Sequence, residues 1–223
     1  MLGLEDHLRL LGQTGAEFAV RRIRTKADAE APVPKAAFGS LDDVARHVLE
    51  CRKCPLAKTR TRAVPGEGHP AAALLFVGEA PGHDEDVQGR PFVGRAGQLL
   101  TKIIAAMSFR REDVYITNVV KCRPPENRTP AREEVEACAP YLAAQIEILR
   151  PKAIVSLGKS ATDFFLRSGK GMTQLRGEFF DFHGIPVMPT FHPSYVLRQE
   201  SIRSVKKQVW QDMQKVMKLL GRT

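Results

Sequence analysis

The sequence lacks any apolar run long enough to cross a membrane, since none approaches the roughly 18 residues that a bilayer-spanning helix requires. Its first residues include Glu5 and Asp6 and show no basic region followed by an apolar stretch, so we expect no secretory signal. Cysteine is scarce, with 4 in 223 residues. We therefore expect a cytoplasmic protein, in which cysteines are more often metal ligands or free thiols than disulfides.

The chain has fewer acidic residues than basic ones. The chain has 25 Asp and Glu residues against 34 Lys and Arg residues, which gives a net charge of +9. Such an excess favours an anionic partner, of which nucleic acid is the commonest, although a basic enzyme without such a partner fits the charge equally well. With 43% hydrophobic and 26% charged residues, the composition is that of a globular chain long enough for one ordinary domain.

The first 40 residues differ from the rest of the chain. Residues 1–24 contain scattered leucines and end in a basic patch, and residues 26–40 are rich in Ala and Pro without periodicity. This pattern predicts an N-terminal extension of helical character followed by a linker. We expect residues 41–223 to form the functional domain.

Short apolar runs alternate with helical patterns after residue 40. Apolar runs at 73–78, 114–120 and 153–158 predict buried strands, and residues 178–182 are a candidate for a further short strand. Helical spacing is present at 41–50, 97–107, 129–149, 160–166 and 202–220, with Ser40 and Thr129 as predicted N-caps. This alternation predicts an α/β fold in which helices cover both faces of a parallel sheet.

Polar segments follow the predicted strands, at 78–82, 118–123 and 192–198. Ligands of parallel sheets bind at the carboxyl ends of the strands, so these segments are candidates for a functional site. Residues 78–97 are rich in glycine and acidic residues, as long functional loops often are. They have neither Lys-Ser/Thr after the glycines nor the G-x-G-x-x-G spacing, which excludes a Walker loop and a dinucleotide fingerprint.

The four cysteines form two pairs. Cys51 and Cys54 make a C-x-x-C in a polar stretch, Cys122 follows a predicted strand, and Cys138 lies on the next predicted helix. Four thiolates suit a structural zinc or an iron–sulfur cluster. The long separation between the pairs indicates a long-range cross-link, which favours a cluster over a small zinc module but leaves both open. Basic residues flank the cysteines and are candidates for a phosphate-binding surface: Lys53, Lys58, Arg60, Arg62, Lys121 and Arg123.

Four motifs in order along the chain resemble those of the family 4 uracil-DNA glycosylases of bacteria and archaea. They are Gly-Glu-Ala-Pro-Gly at 78–82, Gly-Arg-Pro-Phe-Val-Gly at 89–94, Thr-Asn-Val-Val-Lys-Cys-Arg-Pro-Pro at 117–125 and His-Pro-Ser at 192–194. The resemblance covers roughly residues 41–220. It implies a three-layer α/β/α sandwich with a central, mostly parallel four-stranded sheet. It also implies a [4Fe–4S] cluster whose ligands are Cys51, Cys54, Cys122 and Cys138.

The resemblance implies hydrolysis of the N-glycosidic bond of a deoxyuridine rotated out of DNA, which releases uracil and leaves an abasic site for base excision repair. Phe92 is expected to stack on the base, and Asn118 to read N3–H and O4. His192 is expected to donate a hydrogen bond to O2 as negative charge develops there. Glu79 is the candidate to position water, and Glu85 is expected near C5, where it would exclude the methyl group of thymine.

Further contacts are implied around these residues. The backbone at Gly78, Glu79 and Ala80 is expected to line the base and sugar. The segment with Ser194, Tyr195, Leu197 and Arg198 is expected to contact DNA, with a side chain entering the gap left by the base and Arg198 near a phosphate. Ordinary packing explains Leu197 equally well. We expect a monomer that acts on uracil in single- or double-stranded DNA.

Three other functions fit parts of the pattern. A related protein that becomes covalently trapped on uracil-containing DNA has a reactive histidine in an insertion, and residues 121–137 contain no histidine. A sister family with broader mismatch activity typically lacks the equivalents of Glu79 and Asn118, which are both present. A DNA-binding module without activity would have no need of Asn118 and His192 at neighbouring strand ends.

Overall fold

The computed structural model describes residues 20–21, 38–199 and 202–222. The strands are β1 (Val20–Arg21), β2 (Glu67–Gly68), β3 (Leu74–Gly78), β4 (Tyr115–Asn118), β5 (Ala153–Leu157), β6 (Phe179–Phe182) and β7 (Ile185–Thr190). The helices are α1 (Leu41–Glu50), α2 (His83–Gln88), α3 (Arg95–Ala106), α4 (Arg132–Leu149), α5 (Lys159–Leu166), α6 (Met172–Leu175), α7 (Pro193–Arg198) and α8 (Ile202–Leu219). None of the described helices is long and apolar enough to cross a bilayer.

The strands form one mixed sheet in the order β1-β6-β7-β5-β3-β4-β2. Its centre, β4-β3-β5-β7, is parallel throughout, which confirms the α/β prediction. The predicted number of four strands is wrong, because β6 pairs antiparallel with β7 and two-residue strands extend both edges. The two-residue edge strands carry too little periodicity to be recognised in a sequence.

The extension predicted for residues 1–40 lies mostly outside the described residues. Val20 and Arg21 fall within the segment of predicted helical character, but they pair in parallel with Phe179 and Phe180 of β6. Backbone pairing with a sheet edge therefore overrides the weak helical pattern at these two positions.

Alternate residues of the central strands supply two separate cores. On β3, Leu75 and Val77 pack with α1, α4 and α5 on one face, whereas Leu74 and Phe76 pack with α3, α7 and α8 on the other. All residues of β3 are buried, as expected for a strand covered on both sides. The three-layer arrangement therefore follows from the continuous apolar runs of the sequence.

Two helix starts show how capping sets the boundaries. Ser40 caps α1 as predicted, because its hydroxyl accepts a hydrogen bond of 3.1 Å from the N–H of Asp43. The predicted start of α4 at Thr129 is wrong. The helix begins at Arg132, where the carboxylate of Glu134 accepts a hydrogen bond of 2.7 Å from the N–H of Ala131.

The parallel centre brings several chain segments to one edge of the sheet. Gly78 and Asn118, the last residues of β3 and β4, are register partners. The ends of β5 and β7 are paired in the same way, and the N–H of Gly158 donates to the carbonyl oxygen of Thr190 at 2.9 Å. His192 follows β7 at this edge, so the fold collects the motif residues at the carboxyl ends of neighbouring strands.

Candidate active site

Phe92 and Asn118 meet above the backbone of Gly78. A Cβ atom added to Gly78 would lie 2.4 Å from Oδ1 of Asn118 and 2.5 Å from Cζ of Phe92. Both side chains therefore contact the same point, and only a glycine leaves room for them. The ring of Phe92 also lies 5.7 Å, centroid to centroid, from the ring of His192, with an interplanar angle of 35°. The structure thus brings together the aromatic ring, the amide and the imidazole predicted from the motifs.

The backbone at Phe92 is held in an unusual conformation. Its φ of 51° lies in the left-handed region, which is unfavourable for a residue with a large side chain. Its main chain packs against α3 at Gly97, where an added Cβ would lie 1.9 Å from the carbonyl carbon of Phe92. A backbone strained at a candidate binding residue must be held by its surroundings, and two charged side chains do so here.

Glu85 is the first of these. Its Oε1 accepts hydrogen bonds from the N–H groups of Val93 at 2.8 Å and Gly94 at 3.0 Å, and its Oε2 accepts one from Gly82 at 3.1 Å. The carboxylate therefore joins the turn after β3 to the loop that carries Phe92. The predicted place of Glu85 near C5 of the base stays a prediction, but its hydrogen bonds are made to the protein backbone.

Arg111 is the second, and no motif in the sequence points to it. Its guanidinium donates to the carbonyl oxygen of Pro91 at 2.5 Å and to Oγ1 of Thr101 at 3.0 Å. The same group pairs with Glu67 at 2.9 Å. Burial opposes ionisation of Glu67, but hydrogen bonds from Arg90 and Arg111 outweigh it and lower the pKa of this carboxyl. Arg111, itself paired with Glu67, thus holds the backbone of Pro91, the residue before Phe92.

The side-chain amide of Asn118 is buried and unpaired. The residue is fully buried, and neither Nδ2 nor Oδ1 has a hydrogen-bond partner in the described structure. Leaving a buried amide unsatisfied costs about 1–3 kcal/mol, so native proteins rarely retain one without a functional reason. An amide in this position presents one donor and one acceptor to a ligand.

His192 is held in a defined tautomer. Its Nδ1 accepts a hydrogen bond of 3.1 Å from the N–H of Ser194, and a backbone N–H can only donate. The hydroxyl of Ser194 also lies 2.8 Å from Nδ1. Burial, together with the charge of Arg198, lowers the pKa of His192 to about 4. The imidazole is therefore neutral at physiological pH, with its proton on Nε2, where it can be donated to a ligand.

Glu79 and Ala80 follow Gly78 at the end of β3. The carbonyl oxygen of Glu79 accepts a hydrogen bond of 3.1 Å from the N–H of Val120, and the residue is half-buried. Ala80 is half-buried and packs against the core that includes α1 and α4. Both residues are at the predicted edge, next to Gly78.

The segment predicted to contact DNA forms the short helix α7, which His192 caps. Tyr195 is exposed over 36% of its surface and stacks on Phe191 with ring centroids 5.0 Å apart. Ser194 and Leu197 are half-buried, and Arg198 is exposed. The helix therefore places an aromatic ring and a cation on the surface beside His192.

The four cysteines line a single pocket, although the chain segments that carry them are far apart in sequence. Cys51 and Cys54 are half-buried, Cys122 and Cys138 are buried, and all four are free thiols. Burial raises the pKa of the Cys138 thiol to about 11 and also raises that of Cys122. Among the described residues, no group of three or more Cys, His, Asp or Glu side chains has the arrangement that would hold a single metal ion.

Two basic residues predicted for a phosphate-binding surface are instead bonded next to these thiols, Arg60 through its side chain and Lys121 through its main chain. Arg60 donates a hydrogen bond of 2.9 Å to Sγ of Cys122. Lys121 is 1% exposed, and its N–H donates to Sγ of Cys138 at 3.3 Å. Burial lowers the pKa of the Lys121 ammonium to about 7. A sequence pattern cannot distinguish such inward-facing cations from surface cations, because both have the same polar neighbours in the chain.

The sequence comparisons agree with this arrangement. The family profile described as "Uracil DNA glycosylase superfamily" matches residues 65–214. A Type-4 uracil-DNA glycosylase of Thermotoga maritima is 50% identical over 177 residues, which are 78% of this chain and 92% of that protein. One of Archaeoglobus fulgidus is 44% identical over 191 residues, 82% of this chain and 94% of that protein. A Type-5 uracil-DNA glycosylase of Pyrobaculum aerophilum is 33% identical over 189 residues, 70% of this chain and 83% of that protein.

The parallel centre of the sheet and the edge formed by Gly78, Asn118 and His192 lie within the matched residues, and they define an enzyme of the uracil-DNA glycosylase superfamily. Identity with the Type-4 proteins extends over most of both chains and exceeds that with the Type-5 protein. The chain belongs to the Type-4 uracil-DNA glycosylase family, a family of hydrolases that act on N-glycosyl bonds.

Proposed function

We propose that the protein binds a uracil rotated out of DNA between Phe92, Asn118 and His192, hydrolyses its bond to deoxyribose and leaves an abasic site for base excision repair. The observation that carries this assignment is the buried amide of Asn118, which has no partner among the described residues. A pyrimidine placed against Phe92 supplies the missing donor and acceptor. The same contact compensates the energetic cost of extruding the base, which is a few kcal/mol.

Asn118 selects the base by its hydrogen-bonding pattern. Oδ1 accepts from N3–H of uracil, and Nδ2 donates to O4. Cytosine presents an acceptor at N3 and a donor at N4, so the same amide orientation would place like groups against each other. Sites that hydrogen-bond a substrate discriminate strongly against analogues with the wrong pattern, because buried polar groups are then left unpaired.

His192 stabilises the departing uracil. As the glycosidic bond breaks, negative charge accumulates on the base, and Nε2–H of the neutral imidazole donates to O2. A neutral donor suffices, because it is already oriented by the hydrogen bond from Ser194 to Nδ1 and needs no reorganisation. The deoxyribose becomes an oxocarbenium-like centre, which requires only a weak base to deliver water.

Glu79 positions the attacking water. It lies at the end of β3 directly after Gly78, beside the base-binding residues. Its main chain is fixed by the hydrogen bond from Val120, so the side chain projects from a rigid segment. Backbone atoms of Gly78, Glu79 and Ala80 line the base and the sugar.

Glu85 acts on selectivity through the loop it supports. Two of its three backbone hydrogen bonds hold Val93 and Gly94, the residues directly after Phe92. A firmly held aromatic ring leaves a base pocket of fixed depth, in which the methyl group of thymine is harder to accommodate. The expected exclusion of thymine is therefore assigned to the position of Phe92, with Glu85 as its support.

DNA is bound beside α7. Arg198 contacts a phosphate, and the exposed Tyr195 or Leu197 occupies the gap that the rotated base leaves, as apolar wedges do in proteins that unstack DNA. Ser194 contributes to the same surface. The net charge of +9 favours association with the phosphate backbone. We assign the enzyme to the cytoplasm, as a monomer acting on chromosomal DNA.

Cys51, Cys54, Cys122 and Cys138 are assigned as ligands of a [4Fe–4S] cluster. The four thiols share one pocket, with a cation at Cys122 that would offset the charge of the thiolates. These four residues would hold the cluster in a pocket that the fold assembles from segments far apart in sequence. When bound, the cluster would supply a structural cross-link, since the hydrolysis involves no electron transfer.

A protein that becomes covalently trapped on uracil-containing DNA is less well supported, because residues 121–137 offer no histidine to react with the sugar. A broader mismatch activity is disfavoured by the presence of both Glu79 and Asn118.

The first experiment is therefore a direct excision assay. A labelled oligonucleotide with one uracil, single-stranded and paired with guanine, should give an alkali-labile site, and the matching thymine oligonucleotide should not. Intact strands from both uracil substrates, or a covalent protein–DNA complex in place of turnover, would contradict the proposal.

A further inference from the structure

A fully buried ammonium lies directly beneath the residue proposed to read the base. Lys121 follows β4, three residues after Asn118, and only 1% of its surface is exposed. Buried lysines are rare, because removing the charge from water is costly. The partners of this one are neutral oxygens rather than a carboxylate, so it does not serve as half of an ion pair. The proposed chemistry of uracil excision does not use it.

The ammonium donates three hydrogen bonds. Nζ lies 2.6 Å from Oγ1 of Thr117, 2.7 Å from the carbonyl oxygen of Asn118 and 2.7 Å from Oε1 of Gln145. The hydroxyl of Thr117 donates in turn to the carbonyl oxygen of Pro65, which leaves its oxygen free to accept from Lys121. All three oxygens converge on Nζ, so the side chain cannot move without breaking a hydrogen bond.

The carbonyl contact matters most, because the side chain of Asn118 has no hydrogen bond within the described structure that could orient it. The direction of this amide therefore depends on the backbone of Asn118. One side of that backbone is held by β3, through the hydrogen bond of 2.9 Å from the N–H of Val119 to the carbonyl oxygen of Gly78. The carbonyl oxygen of Asn118 itself is held by Lys121.

Lys121 also connects Asn118 to the cysteine pocket. Gln145 and Cys138 lie on α4, two turns apart and both buried. The side chain of Lys121 binds Gln145, and its main-chain N–H donates to Sγ of Cys138 at 3.3 Å. The next residue is Cys122. A single lysine therefore bonds both to the helix that carries one cysteine and to the backbone of the base-reading residue.

We propose that Lys121 is a positioning residue for uracil recognition, which fixes the backbone of Asn118 to the cysteine-bearing helix α4 through three hydrogen bonds. It touches neither base nor sugar. Through this link, the geometry of the cysteine pocket determines how precisely the amide of Asn118 is presented to the base. The proposal rests on the assignment of Asn118 as the base-reading residue.

The test compares Lys121→Met, which keeps the length of the side chain but removes its donors, with Thr162→Val. The hydroxyl of Thr162 is hydrogen-bonded to that of Ser156 across 2.9 Å in the buried interior, and neither residue is a partner of Lys121, so its loss controls for a missing buried hydrogen bond. Four quantities are measured on the protein as purified: iron content, thermal midpoint, single-turnover excision rate and inhibition by free uracil. DNA affinity is measured separately with an undamaged oligonucleotide.

We expect Lys121→Met to lower the excision rate roughly 100-fold, as a misplaced catalytic contact does. Inhibition by free uracil should weaken, while affinity for undamaged DNA and iron content stay as in the wild type. Thr162→Val should keep its rate and its uracil inhibition. Unchanged uracil inhibition and rate in Lys121→Met would overturn the proposal, as would equal losses in both variants at equal thermal midpoints.

A second variant covers the case in which Lys121→Met does not fold. Gln145→Leu removes one acceptor of the ammonium from the side of α4 and should weaken uracil inhibition in the same direction by a smaller factor. A folded Gln145→Leu protein with unchanged uracil inhibition would overturn the proposal. Absence of excision by the wild type would instead refute the proposed function, so the two failures are distinguishable.

Discussion

Gly78 lies so close to Asn118 that a Cβ atom on the glycine would come within 2.4 Å of the amide oxygen Oδ1. The same atom would meet the ring of Phe92 at 2.5 Å. The glycine at the end of β3 is therefore required by side chains from two other segments and not by its own backbone dihedrals. Its absent side chain provides the space in which Asn118 and Phe92, the proposed base-binding residues, converge.

Gly78→Ala should lower the single-turnover excision rate roughly 100-fold, because either the amide or the aromatic ring must shift. Gly171→Ala is the matched control, since nothing lies within 4 Å of a Cβ at that position and its φ of −73° suits alanine. Its rate should equal that of the wild type. A Gly78→Ala enzyme of normal rate would show that Asn118 and Phe92 do not need their present positions.

Asn118→Leu should abolish excision without loss of stability. The buried amide has no partner among the described residues, so its replacement by an apolar side chain of similar shape should raise the free energy of unfolding by about 1 kcal/mol. Thr117→Val is the contrasting variant on the same strand. The hydroxyl of Thr117 is hydrogen-bonded, and its loss should lower the free energy of unfolding by about 1 kcal/mol. Urea unfolding checks both, and a clear destabilisation by Asn118→Leu would mean that the amide has a partner in the protein.

The excision rate should be insensitive to His192 ionisation between pH 8 and about 5, and should fall as the pH approaches the pKa of about 4. Protonation places a proton on Nδ1, which then loses the hydrogen bond from Ser194. Above its ordinary pKa of 6.5 the residue is neutral in both folded and unfolded protein. Below that value the unfolded chain takes up the proton first, so the contribution of His192 to stability is lost as the pH falls from about 6.5 to about 4.

A single-turnover pH profile tests this expectation, with His192→Gln as the variant that lacks the titrating group. The drop near pH 4 should be absent from the profile of the variant, whose rate is low throughout. An inflection near the ordinary pKa of 6.5 that disappears in His192→Gln would instead show that the imidazole is not buried and neutral.

Substitutions of Glu85 distinguish two explanations for the selectivity against thymine. If Glu85 supports the loop of Phe92, Glu85→Ala should lower uracil excision about tenfold or more, because three backbone N–H groups lose their acceptor. Thymine excision relative to uracil excision should then rise, because the ring of Phe92 is no longer firmly held. Glu85→Gln should retain more activity, since an amide oxygen can still accept from Val93 and Gly94. Glu133→Gln, at an exposed carboxylate on α4, serves as control. New excision of thymine by Glu85→Ala, with uracil excision at the wild-type rate, would favour the direct contact near C5.

The cysteine pocket predicts a brown protein with broad absorption near about 400 nm and about four iron atoms per chain. Removal of iron by a chelator should lower the thermal midpoint, because the four ligands join segments that are far apart in sequence. Cys138→Ser should lose colour and stability together. A colourless protein with stoichiometric zinc would contradict the cluster.

The strands and long helices are predictable because burial on both faces leaves continuous apolar runs, as in β3, and burial on one face leaves helical spacing, as in α8. The antiparallel pairing of β6, the edge strands and the start of α4 are not. The strands are set by pairing partners elsewhere in the fold. The start of α4 is set by a local capping contact of Glu134, which competes with the cap expected at Thr129.

In the candidate site, too, some residues can be predicted from the sequence and others cannot. Phe92, Asn118, His192 and the four cysteines belong to motifs with enough chemistry to be singled out in the chain. Arg111 does not, because an arginine in a polar segment looks like any surface cation until its contact with Pro91 is seen. Lys121 looks like a surface charge in the sequence for the same reason, although it is buried.

The sequence by itself determined the residue types that uracil excision needs, the four thiols and the apolar periodicity of a three-layer sandwich. Periodicity and short motifs are local properties, so they can be read without coordinates. The tertiary structure alone decided that Gly78 leaves room for Asn118 and Phe92, and that Glu85 and Arg111 hold the loop of Phe92. It also decided that Lys121 lies between Asn118 and the cysteines. Those relationships join residues from different strands and loops. They therefore exist only once the chain has folded and these segments pack against one another.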